Sequence, residues 1–123
     1  MPRRYSAPSR PITWNGYRVR ALNPWSPDDA KLLQAITYGE FLLNGFRNRD
    51  LRGLLFGTAR NPRELRRQAA SVTRQIRMLR AHGLIKKVST THRYLLTDRG
   101  ITTVTALLNA RQANATKLTQ LAG

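Results

Sequence analysis

Apolar positions along this chain recur at helical spacing in four stretches and alternate over short distances in two others. The most legible helix runs from Asn61-Pro62, a capping residue followed by a first-position proline, to the stop signal His82-Gly83. On a helical wheel started at Arg63, Leu65, Ala69, Val72, Ile76 and Leu79 fall between about 160° and 240°, which predicts a core-facing stripe. Arg63, Arg66, Arg67, Arg74 and Arg77 cluster on the other side, between about 300° and 40°, interleaved with the small residues Ala70 and Ser71.

Upstream, Ser26-Pro27-Asp28-Asp29 opens a helix with a cap, a proline and two acids suited to the helix dipole. Leu32, Leu33 and Ile36, extended by Leu42 and Leu43, give that helix its apolar side, with Gly39 marking a break. Asn48 caps a short second helix that ends near Gly57. After the long helix, Leu84–Val88 and Tyr94–Leu96 read as two strands joined by Ser89-Thr90-Thr91-His92-Arg93. Thr97-Asp98-Arg99-Gly100 caps a last helix with apolar positions Ile101, Val104, Leu107, Leu108, Ala115, Leu118 and Leu121. At the other end, Asn15-Gly16 between Ile12-Thr13-Trp14 and Tyr17-Arg18-Val19 is a strong two-residue hairpin signal. That ribbon is marginal alone and needs the body to cover it; Trp14 and Trp25 read as its hairpin and core anchors.

Charge sharpens this outline. The 123 residues carry 22 Lys plus Arg against 6 Asp plus Glu, a formal net charge of +16. The length suits one domain, and the absence of cysteine excludes disulfides and thiolate metal sites. Residues 60–93 hold ten cations and the single acid Glu64, whereas 21–59 balance Lys31, Arg47, Arg49 and Arg52 against Asp28, Asp29, Glu40 and Asp50. Residues 1–20 add Arg3, Arg4, Arg10, Arg18 and Arg20, and the Pro- and Arg-rich residues 1–11 read as a disordered arm. The acids and the two histidines, His82 and His92, are scattered, with no metal-ligand spacing, nucleophile elbow or glycine-rich phosphate loop, so no enzyme, metal site or cofactor is expected. No apolar run reaches the ~18 residues of a membrane span, and the N-terminus lacks a secretory signal. The expectation is a cytoplasmic, nucleoid-associated protein that binds a polyanion.

The order helix, short helix, long basic helix, two-stranded hairpin, helix resembles the winged helix-turn-helix family. Arg74–Ile85 followed by Tyr94-Leu95-Leu96-Thr97-Asp98-Arg99-Gly100 is similar to that family's recognition helix, Gly-Leu-Ile, wing and Tyr-x-Leu-Thr-x-x-Gly signature. The likeness spans residues 26 to about 110 and implies DNA binding in the style of MarR or ArsR regulators. Residues 12–100 also resemble the C-terminal end of longer uncharacterised bacterial proteins. Lacking cysteine and clustered histidine, the chain departs from ArsR-type metal sensors; lacking a long N-terminal helix, it departs from MarR-type drug sensors.

These readings converge on a mostly α fold with a small β-hairpin wing (α+β): a basic arm and hairpin over 1–25, a winged helix-turn-helix over 26–100 and a C-terminal helix over 101–123. Arg63, Arg66, Arg67, Ser71 and Arg74 are expected to face the major groove of double-stranded DNA and Arg77 its backbone, with Thr90, Thr91, His92 and Arg93 as the wing tip on phosphates or in the minor groove. A homodimer through 101–121 would read paired half-sites. An RNA- or ribosome-associated protein fits the same charge, and a third alternative is a module for an acidic protein partner.

Overall fold

The computed structural model describes residues 10–122; the N-terminal arm expected over 1–11 therefore lies almost wholly outside the described residues. In chain order the elements are β1 (Ile12–Trp14), β2 (Tyr17–Val19), α1 (Pro27–Ile36), α2 (Gly39–Asn44), α3 (Asn48–Phe56), α4 (Pro62–Ala81), β3 (Ile85–Lys87), β4 (Tyr94–Leu96) and α5 (Asp98–Ala122). The fold is mostly helical with two antiparallel hairpins, an α+β arrangement.

Local chemistry fixes the ends of α4. The Asn61 side chain accepts the Glu64 N–H at 2.8 Å, with Pro62 behind it at the first helical position. At the other end Gly83 turns to a φ of 75°, and Leu84 N–H returns to the Leu79 carbonyl at 3.0 Å, closing the helix in the left-handed cap that glycine permits. Its core side carries fully buried Val72 and Leu79 and nearly buried Ile76. Two positions differ from the wheel. Leu65 is 42% exposed, because the first two turns extend past the body, and Gln68 is buried in its place. Met78, on the wheel's polar side, is buried because the β1–β2 hairpin covers that side of the C-terminal half.

The segment after α1 also departs from expectation. A six-residue helix, α2, stands apart from α1, and it is Phe41 that enters the core, while Leu42 and Leu43 face outward. The Phe41 ring lies 5.4 Å from Phe46, which in turn lies 6.1 Å from Tyr94. Phe46 and Tyr94 exchange two backbone hydrogen bonds of 2.9 and 2.8 Å, adding a bridge to the edge of the β3–β4 hairpin. Gly45 makes that approach possible, since a Cβ there would meet the Tyr94 carbonyl oxygen at 2.7 Å and its φ is 77°. Arg47, not Asn48, occupies the cap of α3; its N–H donates to Asp50 Oδ2 at 2.8 Å. The far end of α3 is closed by Lys31, whose Nζ donates to the Leu55 carbonyl at 2.7 Å.

The first hairpin is fastened to the body at several points. Asn15 and Gly16 take φ of 48° and 78°, the pair of left-handed residues that a tight hairpin turn requires. Val19 and Leu22 enter the same core as α1, α3 and α4, and Trp14 packs against it. Trp25, expected as a core anchor, is instead 53% exposed. His82, at the end of α4, is buried and its Nε2 lies 3.0 Å from the Arg20 carbonyl oxygen, which makes Nε2 the donor. The Arg20 guanidinium donates both outer nitrogens to the buried Asp29 carboxylate at 2.8 Å, and Asn23 N–H donates to the same group at 2.9 Å.

Burial alone would raise the Asp29 carboxyl, yet the hydrogen bonds from Arg20 and Asn23 and the Arg20 charge outweigh it and hold it below the usual carboxylate range. The unfolded chain therefore takes up this proton first as pH falls, so the bridge stabilises fully above about pH 5 and fades as pH drops through the lower folded-state value. Since Arg20 is half exposed, about 1–2 kcal/mol is at stake. Asp29→Asn is expected to lose that much at pH 7 and clearly less near pH 2, read by urea melts at both pH values. An equal loss at the two would mean that the ionised pair contributes nothing.

The last helix begins on Thr97, whose Oγ accepts the Gly100 N–H at 2.9 Å and donates to the Gly83 carbonyl at 2.7 Å. Val104 is buried and Leu107 and Leu108 are partly so, whereas Ile101 is 46% exposed. Residues 112–116 are all exposed, so this stretch of the helix gives no side chain to the core.

Candidate nucleic-acid interface

The outer face of α4 begins with exposed Arg63, Arg66, Arg67 and, two turns on, Arg74. Glu64, the acid among them, is occupied by Arg60, which donates its N–H and its Nε to Oε2 at 3.2 and 3.1 Å. Those hydrogen bonds, backbone first, hold the Glu64 carboxyl below its ordinary value. The free charge of this face is therefore positive throughout. Ser71 and Arg77 are half-buried, because the first hairpin straddles the helix at this level. Trp14 faces the side carrying Thr73, Ile76 and Arg80, and β2 faces the side carrying Ser71, Arg74 and Gln75.

Beside α4 lies an open cleft of about 520 Å³, walled by the start of α3, the second half of α4, the β3–β4 hairpin and Trp14. Five arginines line it, Arg47, Arg49, Arg52, Arg77 and Arg80, together with His92 and Tyr94, and no carboxylate does. The cleft is held in shape by Asn48. Its amide donates to the Ala69 carbonyl at 3.2 Å and to Thr73 Oγ at 3.0 Å, while its oxygen accepts Arg52 Nη1 at 3.3 Å. One amide thus ties α3 to α4 and aims a guanidinium. Arg80 is positioned differently, with its guanidinium carbon 4.8 Å from the Trp14 ring centre and 5.8 Å from that of Tyr94. Stacking of this kind fixes the planar group while leaving its charge unneutralised.

Of the four residues expected at the tip of the β3–β4 hairpin, His92 lines the cleft. Thr90, at φ 61°, donates its hydroxyl to the Ser89 carbonyl, and Thr91 donates its own to the Val88 carbonyl at 2.8 Å. Both hydroxyls are thereby engaged in building the turn. Arg93 folds back, Nη1 donating to the Asn44 carbonyl at 3.1 Å at the end of α2. The structure thus brings Arg77 and His92 together in the cleft, sets Arg63 and Arg67 in a separate shallow hollow with Phe56 and Arg60, and gives Ser71 and Arg74 to a third hollow beneath β2.

Arg47, Arg49, Arg52 and Arg80 are the basic residues that the reading of the chain passed over. Summed charge hid the first three, since residues 21–59 are neutral overall. Of the four acids of that segment, Asp29 is paired with Arg20 and Asp50 accepts the Arg47 N–H; Glu40 and Asp50 line a different hollow of Arg47 and Arg49, and no acid lines the cleft itself. Three arginines in the six residues from 47 to 52, at the opening of a helix, were the available signal.

Among the described residues no three of His, Cys, Asp and Glu are grouped so as to hold a metal ion, and no helix is long and apolar enough to cross a membrane. Comparison with protein-family models, with curated proteins and with solved structures finds no match for this chain.

Proposed function

We propose that the protein is a non-catalytic, double-stranded-DNA-binding module of the winged helix-turn-helix type, regulatory or accessory to a larger DNA transaction, acting at the bacterial nucleoid without a cofactor. In this reading α3 and α4 are the helix-turn-helix, the first turns of α4 enter the major groove through Arg63, Arg66, Arg67 and Arg74, and β3–β4 is the wing. The observation that carries it is the acid-free cleft of five arginines that adjoins this helix. With arginines and no carboxylate in its lining, the cleft carries a positive potential that favours an external polyanion. Arginine suits phosphate by its planar fork of donors, and α4, at ~30 Å, is long enough for its first turns to reach into a groove ~12 Å wide. A homodimer through 101–121 of α5 would set two α4 helices on paired half-sites.

The test is a salt titration of binding to a duplex of about 20 base pairs and to a structured RNA of similar length. With six phosphates neutralised, log K for the duplex is expected to fall against log salt with a slope of about −5, and the duplex to be favoured at least about tenfold near 150 mM salt. A tenfold preference for the RNA would replace this reading with the RNA- or ribosome-associated one.

A further inference from the structure

Two arginines help to tie down the β1–β2 hairpin: Arg20 is paired with the Asp29 carboxylate at 2.8 Å, and Arg80 is stacked on the faces of Trp14 and Tyr94. Arg18 is treated differently. It stands exposed on β2, opposite Thr13 in the ribbon, on the strand face away from buried Val19. With Ser71 and exposed Arg74 of α4 it lines a hollow of about 330 Å³ that contains no carboxylate. This hollow and the arginine cleft lie on the two flanks of α4, and Arg77 borders both.

We infer that the N-terminal hairpin is a second phosphate-binding wall, and that Arg18 and Arg74 take a phosphodiester of one DNA strand while the cleft takes the backbone of the other. A helix lying in a major groove has a sugar-phosphate backbone on each side of it, whereas a single strand presents one. Two cationic hollows flanking one helix match the first arrangement. The inference rests on the DNA-binding reading and adds to it the residue, Arg18, and the form of ligand, a duplex engaged on both strands.

The experiment compares wild type, Arg18→Ala and Arg52→Ala on a duplex of about 20 base pairs and on one of its separated strands, by fluorescence anisotropy over a salt series. Arg18→Ala is expected to weaken duplex binding about three- to tenfold and to lower the salt slope by about 1, with the single strand affected less than twofold. Arg52→Ala, in the cleft, is expected to weaken both. Because Arg18 is exposed and lies outside the core, an unchanged thermal melt accompanies the substitution. Equal losses on duplex and single strand, or an Arg18→Ala protein indistinguishable from wild type while Arg52→Ala is impaired, would overturn the two-walled arrangement and leave DNA binding standing. A wild-type protein that binds neither probe would remove both.

Discussion

Gly100→Ala is expected to destabilise the protein by about 3 kcal/mol and to lower its melting temperature by roughly 10 °C. The first turn of α5 rests directly on the backbone that leaves α4. Thr97 N–H donates to the Leu84 carbonyl at 3.0 Å, its hydroxyl donates to Gly83, and Gly100 N–H returns to that hydroxyl. A Cβ on Gly100 would fall on the Leu84 carbonyl oxygen and stand 2.8 Å from its carbonyl carbon. These are backbone atoms, with no flexible side chain to move aside. Accommodating a methyl group there means lifting α5 from Leu84 and breaking the cap, which also loosens Val104 in the core. The counterpart is Gly53 in the middle of α3, where a Cβ would meet nothing within 4 Å. Gly53→Ala is expected to raise stability by about 0.5–1 kcal/mol through helix propensity. Thermal melts of the two variants side by side check the argument; equal effects would show that the tight approach at Leu84 is unimportant.

The second large effect is on binding. Reversing two cleft charges together, Arg49→Glu with Arg52→Glu, is expected to weaken duplex binding about 100-fold or more near 150 mM salt, since like charges set against phosphate cost several kcal/mol. Arg49 is exposed and Arg52 half-buried, and the one side-chain bond at stake, from Arg52 to Asn48, is 3.3 Å long, so the fold should survive. Circular dichroism establishes that first, and anisotropy then gives the affinity. A folded double variant that still binds DNA as wild type does would exclude the cleft from the interface. Retained nucleic-acid binding would then favour the alternative in which this face meets an acidic protein.

How far the chain announced its own structure depended on whether the governing interaction was local. Caps are local, and Asn61, Pro62, Gly83 and Thr97 stand where their neighbours in sequence predict. The Asn15-Gly16 turn is local as well. The misreadings are tertiary. Leu65, expected in the core, is exposed because the body ends before it, and Met78 is buried because a hairpin from the other end of the chain covers it. Asn48 seemed a cap until its partners proved to be Ala69 and Thr73 on another helix. The candidate site divides in the same way. Periodicity identified the arginine face of α4, but Arg47, Arg49 and Arg52 join it only through a contact between α3 and α4, which segment charge cannot reveal.

The bond between His82 and Arg20 spans 62 positions of sequence. On its own the hairpin of residues 12–19 forms within about 1–10 μs and falls apart as readily, because so small a ribbon is marginal in water. Its platform, the C-terminal half of α4 with His82, is synthesised about 60 residues later. In a chain emerging from a ribosome, β1–β2 is thus made before α4 and secured only after it. Arg18 reaches its place beside Arg74 only once the hairpin has docked on α4.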